Sequence, residues 1–221
     1  MNLGFFVIGA IIFSIYIGLT FWNIFYSHRK QREENYPNLN KNSAVDAKPN
    51  IVSFQQTSSA HKAKDNRIYY KECRTLAEAG YDVKLVVVNS NDLKSDFENL
   101  EIVNVHVPFQ NKLTRILKAP FAVLRTALEI DADMYHFHDP ELLLIANRLR
   151  ANGACVVYDS HEDVPNQIKH KSWIPVLAKS LLSWGYKYFE HRVANKLDAV
   201  ITVVEPIADR FRMVNSRVVV L

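Results

Sequence analysis

The chain has 221 residues, 48% hydrophobic and 23% charged, so it can bury a core and is not globally disordered. Its formal net charge of +4 gives no ground for a nucleic-acid partner, and only two cysteines, Cys73 and Cys155, exclude a disulfide scaffold. The six glycines are placed so that neither G-x-G-x-x-G nor a P-loop can be written anywhere.

In chain order, the first feature is an apolar stretch. Leu3 to Tyr26 contains no Asp, Glu, Lys or Arg. At ~1.5 Å rise per residue its helix would measure roughly 36 Å, against ~30 Å of hydrocarbon. A cleaved signal peptide would be shorter, start basic and end in small residues. Here Trp22, Phe25 and Tyr26 stand at the exit, so the expectation is a transmembrane helix over 3–26. His28, Arg29, Lys30 and Arg32 follow it, and the positive-inside bias then puts the rest of a single-pass chain in the cytoplasm. The small residues Ala10, Ser14 and Gly18 are common in spans and need no helix partner. Residues 27–49 are polar, rich in Asn and Lys, and read as a linker.

From Asn50 onward, strands and helices alternate. Asn50 to Gln55 is a short apolar strand. Arg67 to Ala79 has helical spacing (Ile68, Cys73, Leu76, Ala77) and is stopped by Gly80. Strands are expected at 81–88, 101–107, 132–137, 154–158, 197–203 and 217–221. Helices are expected at 113–130, kinked at Pro120, at 141–150, at 173–195 and at 206–211. β-Branched strands alternating with helices specify a parallel sheet covered on both faces, a doubly wound α/β, Rossmann-like domain over 50–221.

In such sheets ligands bind at the carboxyl ends of the strands, near the point where strand order reverses. Three strand ends carry unusual residues: Thr57 to Arg67, then His138-Asp139-Pro140-Glu141, then Asp159-Ser160-His161-Glu162-Asp163. His136 and His138 stand at i and i+2 and so share a face. His136 reads as a hydrogen-bonded core histidine and His138, at the strand end, as functional. Asp139 and Glu141 open a helix and are equally suited to capping it. A metal site from His136, His138, His161 and Asp163, suited to a hydrolase, is the weaker alternative. Cys73 and Cys155 read as core, and Ser58-Ser59 lacks the G-x-S-x-G context of a hydrolase elbow.

The motifs S-S-x-H with Asp65 and Arg67, Cys73-Arg74-x-Leu76-Ala77-x-Ala79-Gly80, H-x-H-D-P-E from His136 to Glu141, Y-D-S-H-E-D from Tyr158 to Asp163 and D-A-V-I-T-V from Asp198 together resemble the N-terminal half of a family 4 glycosyltransferase of the GT-B type. That resemblance implies an N-terminal, acceptor-side domain facing a C-terminal domain that binds the nucleotide-sugar. It implies transfer with retention and no obligatory metal or other cofactor, the nucleotide-sugar being a substrate. It makes His138 the catalytic imidazole of the cleft. Ser59, His61, Arg67, Asp139, Glu141, His161, Glu162 and Asp163 become substrate-binding residues. The family's glycine-rich turn near the donor phosphates has no glycine here, which leaves Arg67 or backbone N–H groups for that task.

The chain ends at Leu221 with no donor-binding domain. The expectation is therefore that it is inactive alone: either the sequence is a truncated product, or a separate chain supplies the donor half, the alternative function being a non-catalytic anchored subunit that recruits it. The acceptor would be a glycan or a lipid-linked sugar of polysaccharide or glycolipid synthesis. Two helices carry apolar residues at helical spacing beside lysines and arginines: Leu113 to Leu128, and Ile174 to Tyr188 with Lys169, Lys171, Lys179 and Lys187. Ordinary packing on the sheet explains both, and an anionic lipid surface is the alternative.

Overall fold

A computed structural model describes residues 50–55, 63–130, 132–151, 153–172 and 174–221. The apolar stretch 3–26, the linker 27–49, Ser59 and His61 lie outside the described residues. Among the described residues, no helix is long and apolar enough to cross a membrane.

Seven strands form one sheet: β1 (Asn50–Gln55), β2 (Asp82–Val88), β3 (Leu100–Val105), β4 (Met134–Phe137), β5 (Cys155–Ser160), β6 (Ala199–Thr202) and β7 (Val218–Val220). All neighbours pair parallel, in the order β3-β2-β1-β4-β5-β6-β7. The order reverses between β1 and β4, where Ser53 pairs with His136 and Phe54 with Phe137. The crevice beyond the carboxyl ends of these two strands is the topological switch point of the domain.

Among the described residues, six helices accompany the sheet. Helix α1 begins as a π-helical turn, Ile68–Cys73, and continues as α over Arg74–Glu78. Gly80 follows at φ 83°, its N–H on the Ala77 carbonyl at 2.9 Å and the Tyr81 N–H on that of Leu76 at 3.1 Å. This is the Schellman arrangement, and it needs a left-handed residue that glycine supplies without strain. Helix α2 (Lys112–Ile130) runs through Pro120. Helix α3 opens with a 3-10 turn, Pro140–Leu142, and continues over Leu143–Ala151. The helix expected over 173–195 begins later, as α5 (Val176–Ala194), with Pro175 as its extended N-cap. A separate short helix, α4 (Val164–His170), precedes it. Helix α6 is Glu205–Arg212.

The pleat divides the core in two. On one face Val83, Leu85, Val87, Met134, Cys155 and Val157 pack under Tyr69, Cys73 and Leu76 of α1. On the other, Val86, Tyr135, Phe137, Val156, Tyr158 and Val200 meet α2, α3, α5 and α6. Strands buried on both faces read as unbroken apolar runs, which is why they stand out in the sequence.

Candidate active site

The first face carries the chemistry. Along β4, Met134 is followed at i+2 and i+4 by His136 and His138. Along β5, Cys155 and Val157 are followed by Asp159 and His161. Side chains alternate across a sheet, so the apolar face turns titratable as both strands reach their carboxyl ends. Helix α1 lies over this edge and adds Glu72, which stands one turn from Ile68 and one turn from Leu76 on the buried side. Arg67 precedes the same helix. Asp65 fixes its entry by accepting the backbone N–H groups of Arg67 at 2.8 Å and Ile68 at 3.1 Å.

Arg67 joins the two carboxylates. Its Nε donates to Glu72 Oε1 at 2.8 Å and its Nη2 to Asp159 Oδ2 at 2.9 Å. The imidazoles fill the space between them. His136 stands 3.8 Å from Glu72 Oε2 and 3.6 Å from Asp159 Oδ2. His138 stands 3.6 Å from Glu72 Oε2 through Nε2 and 3.5 Å from Asp159 Oδ2 through Nδ1. His138 Nδ1 and His161 Nε2 share a hydrogen bond at 3.2 Å, the donor set by the tautomer. His161 also lies 3.4 Å from Asp159 Oδ2.

Depth differs within the cluster. The side chains of Glu72, His136 and Asp159 are buried, and His138 is only 3% exposed. Arg67 at 24% and His161 at 26% are the members that meet solvent. A ligand arriving at this edge touches Arg67 and His161 first, with His138 directly behind His161.

Electrostatics follow from that depth. Burial works to raise the Asp159 carboxyl, but the imidazoles of His136, His138 and His161 gathered at its oxygen hold it well below the usual carboxylate range. Burial raises the Glu72 carboxyl above its ordinary value, against the pull of His138 and Arg67. Burial also lowers His161 to about 4, Asp159 opposing it and His138 adding to it, so at pH 7 this imidazole is neutral and can both donate and accept a hydrogen bond. Burial would lower the Arg67 pKa, but Asp159 and Glu72 outweigh it and raise it.

Glu72, His136, His138 and Asp159 offer four ligand atoms all within 4.8 Å of one another, a spacing open to a metal ion. Arg67 already pairs with both carboxylates, and its guanidinium repels a further cation at the same oxygens. The cluster therefore suits hydrogen bonding to a polar ligand better than metal chelation.

The other sequence candidates spread outward. Glu141 pairs with Arg115 at 3.4 Å. Asp139 is the extended residue before α3, and its side chain makes no capping bond. Glu162 is exposed and accepts from Gln167 Nε2 at 3.2 Å. Asp163 caps α4, its Oδ1 accepting the Asn166 N–H at 3.2 Å, and lies 4.0 Å from Arg210. The structure thus gathers Arg67, His138 and His161, and directs Glu141, Glu162 and Asp163 to partners elsewhere. It adds Glu72 and Asp159, and brings His136 into the same cluster. Their signal was present in the sequence, as an acid on the apolar stripe of a helix and as an acid on the apolar side of a strand.

Residues 67–221 match the model of the glycosyl transferase 4-like domain. Comparison with curated proteins gives no match. Among solved structures, a sucrose-phosphate synthase from Thermosynechococcus elongatus superimposes with a TM-score of 0.54 at 13% identity, over 76% of this chain and 47% of that one. A second structure of that synthase gives 0.50 at 12% identity, over 77% and 86%. At such identities the likeness concerns the fold, a Rossmann-like domain of the GT-B type, and this chain spans less than half the length of the first of these structures. With the family model covering the whole of the site, the chain belongs to the glycosyl transferase 4-like family.

Proposed function

We propose that this chain is the acceptor-side half of a membrane-anchored, retaining glycosyltransferase, one that moves a sugar from a nucleotide-sugar to a glycan or lipid-linked acceptor. The single observation that carries the reading is the His138–His161 pair, joined to Arg67 and Asp159 at the switch-point edge of a domain of this family. Sugar transfer builds positive charge at the reacting carbon and negative charge on the leaving phosphate, so preorganised dipoles and charges aimed at both speed it. Neutral His161 hydrogen-bonds a sugar hydroxyl, and His138 holds His161 in one tautomer and orientation. Asp159 stabilises positive charge on either ring. Arg67, held by Asp159 and Glu72, turns its remaining N–H groups to a polar ligand at the open edge. Anchoring by Leu3–Tyr26, with the domain in the cytoplasm, keeps the site beside a lipid-linked acceptor.

The test is transfer by the full-length gene product in its own membranes, offered a panel of radiolabelled nucleotide-sugars and lipid extract, with the anomeric configuration of the product read by NMR. The reading expects one donor to be used with retention, and activity to survive exhaustive treatment with a chelator. Inversion, or loss of activity on chelation, would refute the mechanism. A split site also expects weak nucleotide-sugar binding by this chain alone. Micromolar or tighter binding in calorimetry would contradict it.

A further inference from the structure

Helix α5 is unlike the other long helix of the molecule. Leu177 is 95% exposed, Leu181 69% and Trp184 65%, and Val176 and Tyr188 stand out beside them. Trp184 and Tyr188 stack with ring centroids 5.9 Å apart. Between α4 and α5 runs a groove of about 500 Å³, whose lining includes Ile168, Ile174, Leu181, Leu182 and Trp184. Exposed apolar area of this extent on one element marks a contact surface.

The charges around it name the partner. From Val164 to Phe189 there is no Asp or Glu, while Lys169, Lys171, Lys179 and Lys187 fall within the segment. Helix α2 also exposes Leu117 and Phe121, but acids meet two of its basic residues, Glu129 at Arg125 and Glu141 at Arg115. An acid-free apolar face with Lys171 in its groove and Lys187 at its margin repels a second copy of itself and attracts an anionic surface. Lysines that snorkel around Leu, with Trp and Tyr at the level of the headgroups, are the chemistry of an interfacial helix.

We propose that the α4–α5 face docks on an anionic lipid bilayer, with the groove receiving an acyl chain. The proposal rests on the membrane anchor proposed above. Residues 27–49 joining the apolar stretch to β1 reach at most ~80 Å when fully extended. A tether of that length holds the domain near the lipid surface and makes a weak face sufficient. The lysines contribute about 1 kcal/mol each near such a surface.

The test uses the full chain reconstituted in vesicles of phosphatidylcholine with or without phosphatidylglycerol. A nitroxide is placed singly by Leu181→Cys, by Glu78→Cys on the opposite face of the sheet, or by Ile12→Cys in the apolar stretch. Cys73 and Cys155 are buried and escape the label. The expected result is that the label at 181 becomes accessible to oxygen and shielded from a water-soluble relaxant only when anionic lipid is present. The label at 78 should stay in water, and Lys171→Gln with Lys187→Gln should cut the docked fraction roughly tenfold. A label at 181 that stays in water while that at 12 is buried overturns the docking and spares the anchor. Water at both positions overturns both. Shielding at 181 that ignores lipid and grows with protein concentration shows a second copy instead, and overturns the proposal.

Discussion

Each face of the sheet buries an arginine–carboxylate pair, and the two pairs behave differently. On the α1 face, Arg67 bridges Glu72 and Asp159, three imidazoles crowd the same oxygens, and Arg67 and His161 reach water. On the other face, Arg210 of α6 pairs with Glu190 of α5, Glu190 fully buried and Arg210 mostly so, with Tyr158 and Tyr186 near them. Burial pushes Glu190 up to about 7, Arg210 pulling the other way. In the first cluster the imidazoles hold Asp159 well below the usual carboxylate range although it is as fully buried as Glu190. A buried ion pair is therefore not in itself a sign of function. What marks the α1 face is that several proton-exchanging groups share one set of oxygens and part of the set stays open to a ligand.

The sharpest way to break this comparison is to remove the centre of the first cluster. Asp159→Ala leaves Arg67 and the imidazoles without their shared carboxylate. It should cost about 3–5 kcal/mol and lower the midpoint of thermal unfolding by roughly 10 °C. A loss below about 1 kcal/mol would mean that the cluster does not hold the switch-point edge together.

The two clusters also differ in the sign of their pH dependence. Glu190 has a folded pKa near 7 against an ordinary 4.5, so between those values the folded chain keeps a proton that the unfolded chain has lost. Its contribution to stability is full below pH 4.5 and falls as pH rises towards 7. His161 has a folded pKa near 4 against 6.5, so over that window the unfolded chain holds the extra proton and stability rises with pH. Each contributes on the order of 1–3 kcal/mol across its window. Denaturant melts at pH 5 and 7 should show the rise steepened in Glu190→Gln and flattened in His161→Gln. Identical pH profiles for the two variants would sink the assignment.

Smaller effects set the background. Asp163→Ala removes the cap of α4 and should cost about 1 kcal/mol in urea unfolding. Arg74→Ala breaks an exposed pair with Glu78 on α1 and should cost less than about 0.5 kcal/mol.

The fold was legible where the sequence has one dominant signal. The valine-rich runs place all seven strands within a few residues, and Gly80 and Gly153, both at positive φ, mark where two helices stop. Helix α4 was missed because its start, Asp163-Val164-Pro165, reads equally as a loop until the Asp163 cap is seen. The long helix was drawn three residues too early because Pro175, its N-cap, was read as interior. For the site, strand ends indicated His138 and His161 because an imidazole after an apolar run is conspicuous. Glu72 and Asp159 were harder. Each sits at an apolar position of its own element, and only the approach of α1 to β4 and β5 joins them. Glu162 and Asp163 follow His161 directly, yet a loop does not carry the alternation of a strand, so their neighbourhood in sequence did not fix where they point.

The most direct measurement is transfer by the full-length protein in its membranes with His138→Gln and His161→Gln compared singly against wild type. The account predicts a fall of at least ~10²-fold in kcat for each, with thermal unfolding close to wild type in His161→Gln, the more exposed of the two. Transfer within about twofold of wild type in both variants would show that the imidazole pair takes no part in the chemistry.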